Sequence, residues 1–115
     1  MTVSGSWRIY GSVTGLTAGT RAVDVSITAT TTAVGDSITQ SFPVAFTAVV
    51  PPATATAALI IPPAANTNGI TLKGVTGDTG IPISKTMPMV LTFVAGSTFG
   101  LTIATGATVI TIVYM

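Results

Sequence analysis

The sequence contains no cysteine, no histidine and no glutamate. Without cysteine there is no disulfide framework and no thiolate chemistry, and without histidine the commonest general base and metal ligand are missing. The only carboxylate side chains belong to Asp24, Asp36 and Asp78. We therefore predict a protein that is not an enzyme, with no catalytic residue, no metal site and no cofactor.

Charge is also scarce. Charged residues make up 6% of the chain, whereas a soluble domain typically has about 25%. The net charge is +1, and the four cations, Arg8, Arg21, Lys73 and Lys85, are too few for a basic stripe. Because nucleic-acid binding depends on neutralising phosphates, we expect no nucleic-acid partner.

The mean hydropathy of +0.77 would suit a membrane protein. A membrane-spanning helix, however, needs about 18 or more consecutive apolar residues. The longest apolar runs, Ala57–Ile61 and the stretch from Val109 to Met115, are short and are bounded or interrupted by proline, glycine or threonine. We therefore expect no membrane partner.

Thr, Ala, Val and Gly dominate the composition, and glycine and proline recur every few residues. Thr and Val favour pleated strands, and Val23, Val25 and Ile27 alternate with polar residues as in a half-buried strand. The pattern predicts strands at Ser6–Val13, Ala22–Thr28, Ile38–Phe42, Val44–Val50, Thr54–Ile61, Ile70–Lys73, Ile81–Ser84, Met89–Val94, Phe99–Ala104 and Thr108–Tyr114.

Short strands at spacings near ten residues are typical of sandwiches. We therefore predict one domain over residues 1–115, an all-β, antiparallel β-sandwich that is jelly-roll-like. The last strand, Thr108–Tyr114, is apolar on both faces, which suits either the centre of a sandwich or a subunit interface.

The loops offer few functional candidates. Asp36 and Asp78 each follow a glycine, which favours an aspartate that caps a turn, although the sequence leaves open a glycosidase-like carboxylate pair. The segment Gly74–Gly80 is rich in glycine but lacks the lysine and the following helix of a phosphate loop. We expect a tight loop in which glycine adopts positive φ.

Two further patterns suggest binding functions. Thr28-Ala29-Thr30 and Thr54-Ala55-Thr56 have the spacing of ice-binding threonine arrays, but they do not repeat, and threonine is the natural polar strand residue. A carbohydrate-binding module would need exposed aromatic residues in a plane. We expect Phe93 and Phe99 in the core and one of Trp7 and Tyr10 outside, so this alternative stays open but has little support.

Low charge combined with many apolar residues favours assembly, because soluble surfaces usually carry charge and lack large apolar patches. Interface cores are depleted of charge in the same way. We expect a homo-oligomer, with a trimer favoured, or a subunit docked on a larger lattice.

The second half of the chain resembles small virion structural proteins of tailed bacteriophages. The resemblance lies in Ile60-Ile61-Pro62-Pro63 followed by Asn66, and in the run from Ile70 to Ile81 followed by Pro88 and Leu91. Gly15–Thr20 with the strand after it also fits that group. These motifs are structural turns, and no catalytic residues come with them.

The resemblance implies a capsid decoration or cement subunit, with a neck, tail or fibre-base component as the alternative. Its expected partners are the major capsid protein or other virion proteins, and its expected location is the virion, assembled in the host cytoplasm. Either terminal segment, Met1–Ser6 or the last strand to Met115, is a candidate to extend the sheet of a neighbour.

Overall fold

A computed structural model describes residues 3–13, 21–31 and 37–115, the first two ranges at the level of the backbone. These residues form strands and turns without a helix. The strands are β1 Val3–Val13, β2 Arg21–Thr31, β3 Ser37–Phe42, β4 Phe46–Val49, β5 Ala57–Ile61, β6 Ile70–Lys73, β7 Ile81–Ile83, β8 Met89–Thr92, β9 Phe99–Ile103 and β10 Thr108–Tyr114.

The all-β prediction is confirmed, and each predicted strand has a counterpart near its expected position. Two strands begin later than the sequence pattern suggested because prolines organise turns ahead of them. The Ala45 N–H donates to the Pro43 carbonyl at 2.8 Å, which closes a three-residue turn before β4. The Ala55 N–H donates to the Pro52 carbonyl at 2.9 Å, which delays β5.

Strands β3–β10 form two antiparallel four-stranded sheets. One has the order β3-β10-β5-β8 and the other the order β4-β9-β6-β7. The chain therefore passes to the other sheet at every connection except the β6–β7 hairpin.

One hydrophobic core joins the two sheets. Strand β10 contributes Ile110 and Ile112 and strand β9 contributes Leu101 and Ile103, all fully buried. Further core residues from the other strands are Phe42, Val49, Ala58, Ile60 and Ile70. Phe99 lies in this core with Phe93 packed against it at a ring-centroid distance of 6.1 Å, as the sequence predicted.

Strand β10 occupies the centre of its sheet, paired with β3 on one side and β5 on the other. Its burial alternates: Ile110, Ile112 and Tyr114 face the core, whereas Val109 is 53% exposed. Because both edges of β10 are hydrogen-bonded within the chain, the prediction that this strand extends a neighbour's sheet is wrong.

Strands β1 and β2 pair antiparallel over their full length of 11 residues each and form a two-stranded sheet. The other segment expected to extend a neighbour's sheet is Met1–Ser6, of which the structure describes residues 3–6. These residues pair with β2. That residues 1–115 form one domain stays a prediction.

Candidate interaction surface

Asp36 and Asp78 were expected to cap turns, and the structure describes the second of them. Asp78 Oδ2 accepts the backbone N–H groups of Gly74 at 3.0 Å and Val75 at 2.9 Å, so this aspartate closes the β6–β7 loop. Asp24 lies in β2 opposite Tyr10, its side chain outside the described part of the structure, and Asp36 lies outside the described residues altogether. Within the described part, no group of three or more acidic, histidine or cysteine side chains could hold a metal ion.

The expected positive φ in the Gly74–Gly80 loop is found at Gly80, where φ is 76°. A Cβ at this position would also meet the Leu72 carbonyl oxygen at 2.6 Å. Beside this loop lies a groove of about 500 Å³ with apolar walls that include Ile81, Leu91 and Phe99. Lys73 and Asp78 also line it, so it carries one charge of each sign.

The two threonine pairs lie in different kinds of backbone structure. Thr54 and Thr56 are exposed, but they precede β5 and the Thr56 N–H donates to the Met115 carbonyl at 2.7 Å. Thr28 and Thr30 lie in β2, at register positions opposite Ser6 and Ser4. Every aromatic side chain between residues 37 and 115 is buried or half-buried, so this part of the chain presents no aromatic platform for a sugar. Trp7 and Tyr10 lie where the structure describes only the backbone.

The sheet β3-β10-β5-β8 carries no charged residue on any of its four strands. Its register separates the face that packs on the core from the face that points away from it. We call the second one the uncharged face. It consists of Ser37, Thr39, Ser41, Ala57, Leu59, Ile61, Val90, Thr92, Val109, Thr111 and Val113.

Apolar residues dominate the two central strands of the uncharged face. Val109 is 53% exposed near one end of β10, and Leu59, Ile61, Val90 and Val113 are half-buried on the same face. At one end, Ala57 and Met115 are buried with Leu59 and Val113 packed against them. Backbone hydrogen bonds of 2.8 Å in both directions between Ala57 and Met115 hold that end together.

Hydroxyl groups lie along both edges of this face and, at Thr111, on its central strand. On the edge strand β3, Ser37, Thr39 and Ser41 are exposed, and Thr92 is exposed on the opposite edge strand. The hydroxyl groups of Thr39 and Thr111 hydrogen-bond across the strands at 2.9 Å. An apolar centre with a polar rim and little charge is the usual anatomy of a protein interface.

The outer face of the other sheet differs in composition. It includes Lys73, and Phe46 covers the backbone of Gly100 so closely that a Cβ on Gly100 would overlap the phenyl ring. Thr102, opposite Phe46 in the register, has a buried hydroxyl oxygen without a hydrogen-bond partner. The Phe46 ring therefore covers part of this face, and Lys73 places a positive charge on it.

The two asparagines of the loop between β5 and β6, Asn66 and Asn68, organise one end of the sandwich. Asn66 Nδ2 donates to the carbonyl oxygens of Asn68 at 3.0 Å and Lys85 at 2.9 Å. Asn68 Nδ2 donates to the Gly106 carbonyl at 3.1 Å and to the Thr108 hydroxyl at 3.0 Å. These hydrogen bonds join the β5–β6, β7–β8 and β9–β10 loops. The residues involved are distant in the sequence, so the sequence alone did not predict the contact.

The part of the chain that the structure describes contains no candidate membrane-spanning helix. Burial raises the pKa of Tyr114, the only group in residues 37–115 with a clear shift. No protein-family model, curated protein or solved structure matches the chain.

Proposed function

We propose that this protein is a non-catalytic structural subunit that works in a homo-oligomer and docks on a larger particle. The observation that carries the proposal is the uncharged face, where Val109 is 53% exposed on the central strand β10 of a sheet whose strands carry no charged residue. Water solvates such a face poorly, and burying it against another subunit is favourable by about 25 cal/mol per Å² of apolar area.

The strand order supports the same proposal. The chain changes between the sheets β3-β10-β5-β8 and β4-β9-β6-β7 at every connection except the β6–β7 hairpin. This order supports the proposal of a jelly-roll-like arrangement, the architecture of many capsid and lectin domains. A fold is not a function, so this argument is secondary to the surface. It fits the resemblance to virion structural proteins of tailed bacteriophages.

In the particle, we propose a capsid decoration or cement role, with a neck, tail or fibre-base position as the alternative. A subunit that binds only the assembled shell stabilises the shell by mass action. This work requires complementary uncharged surfaces and no chemistry.

The first experiment is the mass of the purified chain, measured by light scattering after size exclusion at several loading concentrations. We expect an oligomer, and we expect Val109→Asp to lower its mass because the substitution places an unpaired charge in the interface. Val94→Asp is the matched control, since Val94 is 79% exposed and lies outside the uncharged face. A wild-type monomer at all concentrations would contradict the proposal.

The virion setting has its own test. Particles purified from a host that carries the gene should contain this chain in many copies, as quantified by mass spectrometry against the major shell protein. Absence of the chain from such particles would overturn the phage setting and leave self-association standing.

A further inference from the structure

The chain contains two asparagines, Asn66 and Asn68, and only the second is followed by glycine. The side-chain amide carbon of an asparagine can be attacked by the backbone nitrogen of the next residue. Glycine favours this attack, because it has no Cβ to shield the nitrogen and its backbone rotates freely. Asn66 is followed by Thr67, whose branched side chain crowds the nitrogen. The sequence therefore offers one pair, Asn68-Gly69, that is suited to this reaction.

The fold fixes the Asn68 side chain against the end of the β9–β10 connection. Its Nδ2 donates to the Gly106 carbonyl at 3.1 Å and to the Thr108 hydroxyl at 3.0 Å. Its Oδ1 accepts a hydrogen bond from the Thr105 hydroxyl at 2.8 Å. We call these three contacts the Asn68 network. The reaction expels Nδ2, so it must break both hydrogen bonds that this nitrogen donates.

The backbone on either side of the reacting pair is fixed as well. The Asn68 N–H donates to Asn66 Oδ1 at 3.0 Å. The Gly69 carbonyl accepts the Ala104 N–H at 2.9 Å, and the next residue, Ile70, begins β6. Ring closure requires the Asn68–Gly69 peptide to rotate between these two anchors, so the folded loop opposes it.

We infer that Asn68 is a site of spontaneous covalent modification that reacts when the β5–β6 loop opens and is protected while the loop is folded. The Gly69 nitrogen attacks Asn68 Cγ, a C–N bond forms, and Nδ2 leaves as ammonia together with the proton of the Gly69 N–H. Water then adds to one of the two carbonyl carbons of this succinimide ring and breaks its bond to nitrogen. The products are aspartate and isoaspartate, and solvent water is the only co-reactant.

Either product fits the folded loop poorly. An aspartate at position 68 has no N–H to donate, and its carboxylate would replace a donor that lies 3.1 Å from the Gly106 carbonyl oxygen. Isoaspartate adds a methylene group to the main chain just ahead of Ile70, whose register partners are Ile83 and Ile103. An opening of the loop therefore leaves a permanent mark, and a marked copy is less stable than the original. This chemistry needs no partner, so it does not rest on the proposed function.

The first test compares the full-length protein in native buffer and in guanidinium chloride above its unfolding midpoint, at one pH and one temperature. Peptide mapping by mass spectrometry follows the mass gain of deamidation at Asn68 and Asn66 separately. In the denaturant, Asn68 should convert much faster than Asn66. In native buffer its conversion should be about tenfold slower or more, because only opened molecules react. Equal rates in the two conditions, or no preference for Asn68 in the denaturant, would overturn the inference.

The attacking nitrogen has its own test. Gly69→Ala should slow the conversion of Asn68 severalfold in the denaturant, where folding plays no part, because the added Cβ shields the nitrogen. An unchanged rate would contradict attack by the Gly69 nitrogen.

Thr105→Val tests whether the Asn68 network controls the reaction, because it removes the hydroxyl that donates to Asn68 Oδ1. In denaturant just below the unfolding transition, where openings are frequent enough to measure, conversion should rise severalfold. Above the transition the rate should equal that of the wild type. Thr76→Val is the matched control, since Thr76 is exposed in the β6–β7 loop, and it should change neither rate. A wild-type rate for Thr105→Val below the transition would overturn the role of the network.

The effect of the product is measured with Asn68→Asp, which reproduces one of the two products. This variant should unfold at a lower guanidinium concentration than the wild type. Thr67→Asp, which places the same charge on the exposed neighbouring residue, should shift the midpoint much less. A wild-type midpoint for Asn68→Asp would overturn the claim that modification weakens the fold.

Discussion

The close contact between Gly100 and Phe46 makes a sharp prediction about stability. A Cβ at Gly100 would overlap two carbons of the Phe46 ring and lie 2.9 Å from the Thr47 carbonyl oxygen. The backbone itself tolerates alanine, because the φ of Gly100 is not positive. Any cost of Gly100→Ala therefore comes from the contact with the ring and the neighbouring strand.

Overpacking of this kind typically costs about 1–3 kcal/mol. Replacing glycine by alanine at a compatible backbone position gains about 0.4–1 kcal/mol, since the unfolded chain loses freedom. We therefore expect Gly100→Ala to lower the free energy of unfolding by about 0.5–2 kcal/mol. In a Phe46→Ala background the ring is gone and only the contact with the Thr47 carbonyl oxygen remains, so the same change should cost clearly less.

Urea denaturation of the two single variants and the double variant measures this coupling. Gly77→Ala is the matched control, because a Cβ there meets nothing within 4 Å. The steric argument would be refuted if Gly100→Ala behaved like Gly77→Ala, or if removing the Phe46 ring left its cost unchanged.

Three further predictions concern polar side chains. Thr102→Val should raise the free energy of unfolding by about 1 kcal/mol in urea denaturation, because it removes a buried hydroxyl without a partner; an unchanged midpoint would contradict this. Asn66→Asp should cost about 1–3 kcal/mol, since a carboxylate cannot donate to the two carbonyl oxygens that its amide contacts, while Thr67→Asp, in the same loop, should cost much less. Burial raises the pKa of Tyr114 in the folded protein. Its neutral phenol should therefore stabilise the fold fully below about pH 10, and this stabilisation should be lost as the pH rises through the folded pKa. Tyr114→Phe should remove the part of the alkaline decrease in the free energy of unfolding that is due to this phenol. The same pH profile of unfolding free energy in the variant and the wild type would contradict the prediction.

Local chemistry explains why the strands were predictable. Two-residue alternation as in Val23, Val25 and Ile27, with glycine and proline between segments, places strands without knowledge of their partners. The strand ends were less accurate, since the turns at Pro43 and Pro52 consume residues that the apolar pattern assigned to β4 and β5.

Pairing between distant strands could not be predicted in this way. The apolar pattern of Thr108–Tyr114 fitted a central strand or an interface, and the hydrogen bonds to β3 and β5 establish the central position. The uncharged face follows from the same pairing, which places Leu59, Val90 and Val109 on one surface although Val90 follows Leu59 by 31 positions and Val109 follows Val90 by 19.

The asparagine network and the Phe46–Gly100 contact depend on non-local approach as well. Asn68 reaches Thr108 across 40 positions of sequence, and no short motif encodes that meeting. Sequence composition predicted that a charge-poor surface should exist, whereas its location required the register of the sheet.

The central claim is that the uncharged face becomes covered when the protein assembles. Because the chain contains no cysteine, Val109→Cys introduces a unique thiol on that face, and Val94→Cys provides the matched thiol outside it. The measurement is the rate of thiol labelling as protein concentration rises. We predict that labelling at position 109 slows severalfold over the concentration range in which the mass increases, while labelling at position 94 stays constant. Equal and constant rates at the two positions in the assembled protein would contradict the claim.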